Sequence, residues 1–159
     1  MRMPTDIALW LQKTLLGLDR EDWGLGYMLD GDLAFAPPDT PERWQAGADM
    51  IYRGLVCGLI AVDDLGATSD QASFLHSIRT LDPCGISGEG YWHATLIWGT
   101  ERLNKLIDAH FPPGGERDDK LNPAFIEALE QMFAEKGVPW SDKTLLPILP
   151  SRVGVAAAR

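Results

Sequence analysis

The chain has few of the features that mark a secreted or membrane protein. It has two cysteines, Cys57 and Cys84, and neither belongs to a C-x-x-C pair, so we expect free thiols in a reducing compartment. The longest apolar runs, 7–11 and 55–62, fall far short of the roughly 20 residues that a membrane-spanning helix requires. The first residues contain one base and lack the apolar stretch of a secretory signal. These absences predict a cytoplasmic protein that does not span a membrane.

The sequence also lacks a recognisable catalytic set. His76, His93 and His110 lie on three different predicted elements, without the H-x-x-x-H spacing that places two imidazoles on one helical face. Residues 85–90, GISGEG, follow a predicted helix and enter a predicted strand, which is the reverse of a phosphate-binding loop. We interpret them as a turn, with a close backbone approach as the alternative. The sequence therefore predicts no enzyme activity, no metal and no cofactor.

Basic residues are scarce and scattered. The chain has 14 Lys and Arg against 23 Asp and Glu, a formal net charge of −9. The helix predicted after Thr100 offers Arg102 and Lys105 outward, but Glu101 and Asp108 stand beside them. Since DNA binding depends on clustered Lys and Arg, we expect no nucleic-acid partner.

Acidic residues, in contrast, are concentrated between positions 19 and 49. This segment contains eight acidic and two basic residues, a local net charge of −6, and Trp23, Tyr27 and Trp44 lie among them. Such a segment favours a basic protein partner through long-range steering and contact, although a solvated surface is the alternative. Asp39 and Glu42 open a predicted helix, where the dipole favours acids. The residues predicted to bind the partner are Asp19, Glu21, Asp22, Trp23, Asp30, Asp32 and Asp49, with core packing as the alternative for Trp23.

The first half of the chain contains several helix and turn signals. Thr5 is placed to cap a helix that ends at Gly17. Thr40-Pro41 predicts the start of a second helix, which ends at Gly58. Between them, Asp30-Gly31 has the composition of a two-residue hairpin turn. Residues 59–62 then form a predicted strand.

The second half continues this alternation. Thr68 and Gln71 suggest a capping box for a helix that runs through Leu81. Residues 91–98 alternate like a strand, Thr100 caps the helix that follows, and Asn122-Pro123 begins a final helix. We therefore predict one α+β domain over residues 1–146, with about five helices around a small antiparallel sheet, and an extended tail over 147–159.

One feature of the second predicted helix concerns charge. Asp49 and Arg53 stand one turn apart, in the order that supports a helix. We expect both side chains on a polar outer face.

The stretch 44–111 carries a resemblance to a known scaffold. A helix running through Leu55 ends at Gly58 and enters a short strand, and Trp98-Gly99-Thr100 later opens another helix. This layout resembles a winged-helix-type scaffold and the small cytoplasmic immunity proteins of bacterial polymorphic toxin and contact-dependent growth-inhibition systems.

The resemblance implies a stoichiometric inhibitor that occludes the active site of a toxin domain, often a basic nuclease. Because a nuclease presents Lys and Arg to phosphates, an inhibitor can oppose them with carboxylates around one or two aromatic side chains. The alternatives are a winged-helix regulator that binds DNA and a small enzyme, which a deep pocket joining a histidine to a carboxylate would favour.

Overall fold

The structure, a computed structural model, describes residues 2–63, 70–112 and 120–150. Within these ranges the chain forms six α-helices, one 3₁₀ helix and three short strands, which confirms the predicted α+β class. In chain order the elements are α1 (Thr5–Gly17), β1 (Asp22–Gly24), the 3₁₀ helix (Leu25–Leu29), α2 (Pro41–Val56), β2 (Ile60–Val62), α3 (Gln71–Thr80), α4 (Ile86–Ala94), β3 (Leu96–Gly99), α5 (Glu101–His110) and α6 (Pro123–Glu135).

The sheet has the strand order β1-β3-β2, and both pairings are antiparallel. Ile97 at the centre of β3 is fully buried, and it lies opposite Trp23 on one side and Val62 on the other. Residues directly opposite one another share a face of the sheet. Ile97 and Val62 therefore face the core, whereas the alternate residues Leu96 and Trp98 face outward.

Three buried tryptophans anchor the connections between elements. Trp10, Trp44 and Trp92 each donate the indole N–H to a backbone carbonyl at 2.7 Å. The acceptors belong to Asp30, Ile78 and Leu81, respectively. Because a buried indole N–H needs a partner, these bonds fix where the segments after the 3₁₀ helix and α3 run.

The helix caps follow local sequence closely. The side chains of Thr40, Thr100 and Asn122 accept hydrogen bonds from backbone N–H groups in the first turns of α2, α5 and α6, as predicted. Gly58, with φ +68°, follows α2 in the left-handed region, which favours glycine. Thr5 lies inside α1, whose N-cap position is Pro4.

The hairpin predicted at Asp30-Gly31 is wrong. Gly31 does adopt a positive φ of 91°, but residues 25–29 form the 3₁₀ helix and no strand follows at 33–35. The only strand of this region, β1, pairs with β3, some 70 residues further along the chain. A short alternating sequence does not reveal which strand it will pair with. Here the pairing of β1 with the distant β3 replaced the local hairpin that the turn signal predicted.

The stretch 85–98 also differs from its prediction. Residues 86–94 form α4, an additional helix, and the strand begins only at Leu96. Asp70 caps α3, since its side chain accepts from Ser73 N, and Thr68 lies outside the described residues.

The predicted tail is partly held by hydrogen bonds. Arg79 Nε donates to the Pro147 carbonyl at 2.7 Å, and Leu149 N donates to the Arg79 carbonyl. Residues 147–149 therefore contact the end of α3, while 151–159 lie outside the described residues.

Candidate functional site

An acidic and aromatic surface surrounds the paired strands β1 and β3. Three of the six large hydrophobic residues found exposed in the described ranges lie there: Trp23, Leu96 and Trp98, which are 45%, 39% and 36% exposed. Asp22 lies opposite Trp98 in the ladder, so its carboxylate and the indole share the outer face of the sheet. Trp23 lies opposite Ile97, so its side chain leaves the edge strand β1 on the other side of the sheet. We use the name β-edge surface for these exposed residues of the two strands and the acid before β1: Glu21, Asp22, Trp23, Leu96 and Trp98.

The exposed Trp23 is held in place by its neighbours. Its indole N–H donates to the Gly17 carbonyl at 2.9 Å, and its ring stacks on Tyr27 with centroids 5.2 Å apart. Burial and the nearby charge of Asp30 raise the pKa of the Tyr27 hydroxyl. Trp23 is therefore a preformed surface group rather than the core residue of the alternative interpretation, and Tyr27 links it to the charge of Asp30.

Asp19 is enclosed instead of exposed. Its side chain is 3% exposed and is paired with Arg20 at 2.7 Å, while Arg20 Nη2 also contacts Asp108 of α5 at 2.7 Å. Asp19 and Arg20 thus join the end of α1 to α5. A partner therefore cannot reach the Asp19 carboxylate, although it belongs to the acidic segment.

Asp30 and Asp32 extend from a loop whose backbone is held from beneath. Both residues are exposed. The buried guanidinium of Arg43 donates from Nη1 to the carbonyls of Leu29 and Gly31, each at 2.7 Å. This loop can present two carboxylates to solvent while its main chain stays fixed.

Asp49 has an internal role that the sequence did not indicate. Its Oδ1 accepts from the backbone N–H groups of Leu145 and Leu146 at 3.2 and 2.7 Å, and from Gln45. Arg53, predicted on the same outer face, is 1% exposed and donates to the carbonyls of Val138 and Pro139. The prediction that Asp49 and Arg53 lie on a polar outer face of α2 is therefore wrong, because the segment after α6 covers this part of the helix.

A cavity of about 540 Å³ opens between the start of α1, one side of α2 from Pro41 to Arg53, and residues 140–144. Its wall is mostly apolar and includes Ile7, Trp10, Phe35, Met50 and Trp140. Glu42, Asp49, Arg53, Asp142 and Lys143 supply charged groups, but no histidine of the described part of the chain lines it. The cavity therefore lacks the meeting of histidine and carboxylate that would favour the enzyme alternative. It was missed from the sequence because its walls come from three distant segments.

No protein-family model, curated protein or solved structure matches this chain. Within the described ranges, no helix is both long and apolar enough to cross a bilayer. Across those same residues, no group of three His, Cys, Asp or Glu side chains is placed to hold a metal ion. The β-edge surface and the cavity are therefore the two candidate sites in the described residues.

The Asp49 carboxyl should make stability depend on pH in a defined direction. Burial raises its pKa above the ordinary value of 3.8, and the bonds from Leu146 and Leu145 oppose the shift only in part. The folded state then binds this proton more tightly than the unfolded state, so this group's contribution to stability falls as pH rises from 3.8 through the raised pKa and is constant above it. We expect Asp49→Asn, which keeps an acceptor oxygen, to gain stability relative to the parent chain across that window.

Urea unfolding at a series of pH values measures this difference. Asp142→Asn is the matched control, since Asp142 is an exposed residue at the same cavity. A difference between the Asp49→Asn variant and the parent that does not change with pH would contradict the assignment.

Proposed function

We propose that this protein is a cytoplasmic immunity protein that neutralises a basic, nuclease-type toxin domain by covering its active site with the β-edge surface. The observation that carries the proposal is the exposure of Trp23, Leu96 and Trp98 on the paired strands β1 and β3, together with the exposed acids Glu21 and Asp22. Exposed aromatics among charges are typical of interface centres, where a few residues supply most of the binding energy.

Charge supplies the selectivity in this proposal. A nuclease gathers Lys and Arg around its site to hold phosphates, and carboxylates can occupy the same positions. The net charge of −9 steers such a partner toward the protein and accelerates association. Because Trp23 is already fixed by Gly17 and Tyr27, little side-chain freedom is lost when it is covered.

The DNA-binding alternative gains little support from the helix that would read DNA. On α5, Lys105 is paired with Glu101 at 3.2 Å, and Asp108 holds Arg20. Leu103 and Ile107 are buried against the core. The outward face of α5 therefore mixes both signs of charge, which disfavours contact with a phosphate backbone.

The proposal is tested by co-expression with the terminal domain of a toxin encoded next to this gene. We expect this protein to restore the growth of cells that express the toxin domain and to form a stable one-to-one complex with it. The double variant Glu21→Lys/Asp22→Lys should slow association about tenfold or more at low salt and flatten its salt dependence, because steering forces are screened by ions. Stopped-flow association measured across a salt series gives both quantities.

The matched control is Glu127→Lys/Glu135→Lys, which changes the net charge equally at two exposed positions of α6. We expect it to alter the association rate much less. Asp30→Lys/Asp32→Lys then shows whether the loop held by Arg43 extends the interface. Equal rates for the β-edge and α6 variants would remove the β-edge surface from the interface, and failure to form any complex would reject the proposal.

A further inference from the structure

The cavity beside α2 contains polar atoms that internal hydrogen bonds leave unused. Arg53 donates from Nε to Val138 O and from Nη2 to Pro139 O, each at 3.0 Å, but Nη1 has no hydrogen bond among the described residues. Asp49 uses Oδ1 for its three bonds, and Oδ2 has none within the same ranges. Both residues line the cavity, so these two atoms can form hydrogen bonds with a ligand placed there.

The walls of this cavity suit a flat apolar molecule. Trp10, Phe35 and Trp140 contribute aromatic rings, and the Arg53 guanidinium lies 5.4 Å from the centroid of the Trp140 ring. The indole N–H of Trp140 is buried and has no hydrogen-bond partner in the described part of the chain. A volume of about 540 Å³ lies within the range of small-molecule sites, which combine apolar walls with a few polar groups.

The pairing of charges at the cavity favours a neutral ligand. Asp49 and Arg53 are adjacent along α2 and influence each other electrostatically, so their formal charges cancel when both are ionised. Glu42, Asp142 and Lys143 also line the cavity. An ionic ligand would neutralise one member of the Asp49–Arg53 pair and leave the other charge poorly solvated, which is costly in a buried site.

We propose that this cavity binds a neutral aromatic ligand that carries a carbonyl next to an N–H, as in an aryl carboxamide. The carbonyl oxygen accepts from Arg53 Nη1, and the amide N–H donates to Asp49 Oδ2. The ring packs between the aromatic side chains of the wall. This site is distinct from the β-edge surface and does not depend on the proposed toxin partner.

Three planar probes of nearly equal shape test the charge argument on the full chain. They are benzamide, benzoate and benzamidinium, which are neutral, anionic and cationic. We expect benzamide to bind at least tenfold more tightly than either ion in saturation-transfer NMR titrations at neutral pH. Absence of benzamide binding, or equal binding of an ion, would overturn the proposal.

Two variants in which tryptophan replaces an alanine locate the binding site. Ala46→Trp fills the cavity from α2, whereas Ala109→Trp adds the same side chain at an exposed position of α5. We expect the first variant to abolish benzamide binding and the second to preserve it.

A second measurement decides the matter if Ala46→Trp does not fold. The indole N–H resonance of Trp140, assigned with Trp140→Phe, should shift when benzamide is added to the parent chain. That of Trp98, on the outer face of the sheet, should stay in place. Shifts at Trp98 without shifts at Trp140 would place the probe elsewhere and reject the site.

Discussion

Replacement of Arg43 by methionine should lower the free energy of unfolding by about 3–5 kcal/mol, since hydrogen bonds to charged groups contribute about 1.5–3 kcal/mol each. Arg43 is 3% exposed and donates to the carbonyls of Ala36, Leu29 and Gly31 at 2.6, 2.7 and 2.7 Å. Methionine retains much of the aliphatic volume but leaves these carbonyls without their donor. Equilibrium urea unfolding measures the loss.

Lys105→Met is the control for removing a positive charge from a helix. Lys105 is exposed, and its pair with Glu101 lies on the surface, so we expect a change of less than about 0.5 kcal/mol. Hydrogen exchange should show faster exchange across residues 29–36 in the Arg43→Met variant only. Similar losses in the two variants would show that Arg43 does not organise this loop.

A second large effect is expected at Gly88 in α4. A methyl group added there would meet the carbonyl of Asp82 and lie 2.8 Å from the Asp82 nitrogen. Both obstacles are backbone atoms of a turn in which Gly85 N also bonds to Asp82 O, so the helix itself must move. We expect Gly88→Ala to lower the free energy of unfolding by about 2–3 kcal/mol, the usual cost of overpacking.

Gly90 provides a control within the same helix. A methyl group at Gly90 would meet no atom within 4 Å. Gly90→Ala should raise the free energy of unfolding by about 0.5–1 kcal/mol, because alanine loses less conformational freedom than glycine in a helix. Thermal unfolding of both variants should therefore give opposite signs for the same chemical change. A gain in stability for Gly88→Ala would contradict the close approach.

The glycine-rich stretch shows where sequence patterns stop being informative. The composition of residues 85–90 favoured a turn, with a close backbone approach as the alternative. The structure has a helix there, and Gly88 makes the close approach, to the backbone of Asp82. Residues 86–94 are helical despite two glycines because Trp92 is buried and bonded to the Leu81 carbonyl. Tertiary packing can override weak intrinsic propensity in this way.

The seven predicted partner-binding residues divide along similar lines. Glu21, Asp22 and Trp23 are exposed together, and Asp30 and Asp32 lie on the loop beneath which Arg43 is buried. Asp19 and Asp49 carry the same charge, but Asp19 is enclosed and paired with Arg20, and Asp49 is partly buried and accepts hydrogen bonds from the backbone of Leu145 and Leu146. Composition counts charges equally, whereas burial and hydrogen bonding decide which of them a partner can reach.

The amino-acid sequence alone was sufficient for the α+β class, the starts of α2, α5 and α6, and the end of α2 at Gly58, because caps and left-handed glycines act over a few neighbouring residues. Only the tertiary structure decided that β1 pairs with β3, that Leu96 and Trp98 share a face of the sheet with Asp22, and that Asp49 and Arg53 line a cavity. These features depend on contacts between residues far apart in the chain. Such contacts are selected by the burial of the whole core and leave no periodic signal in any one segment.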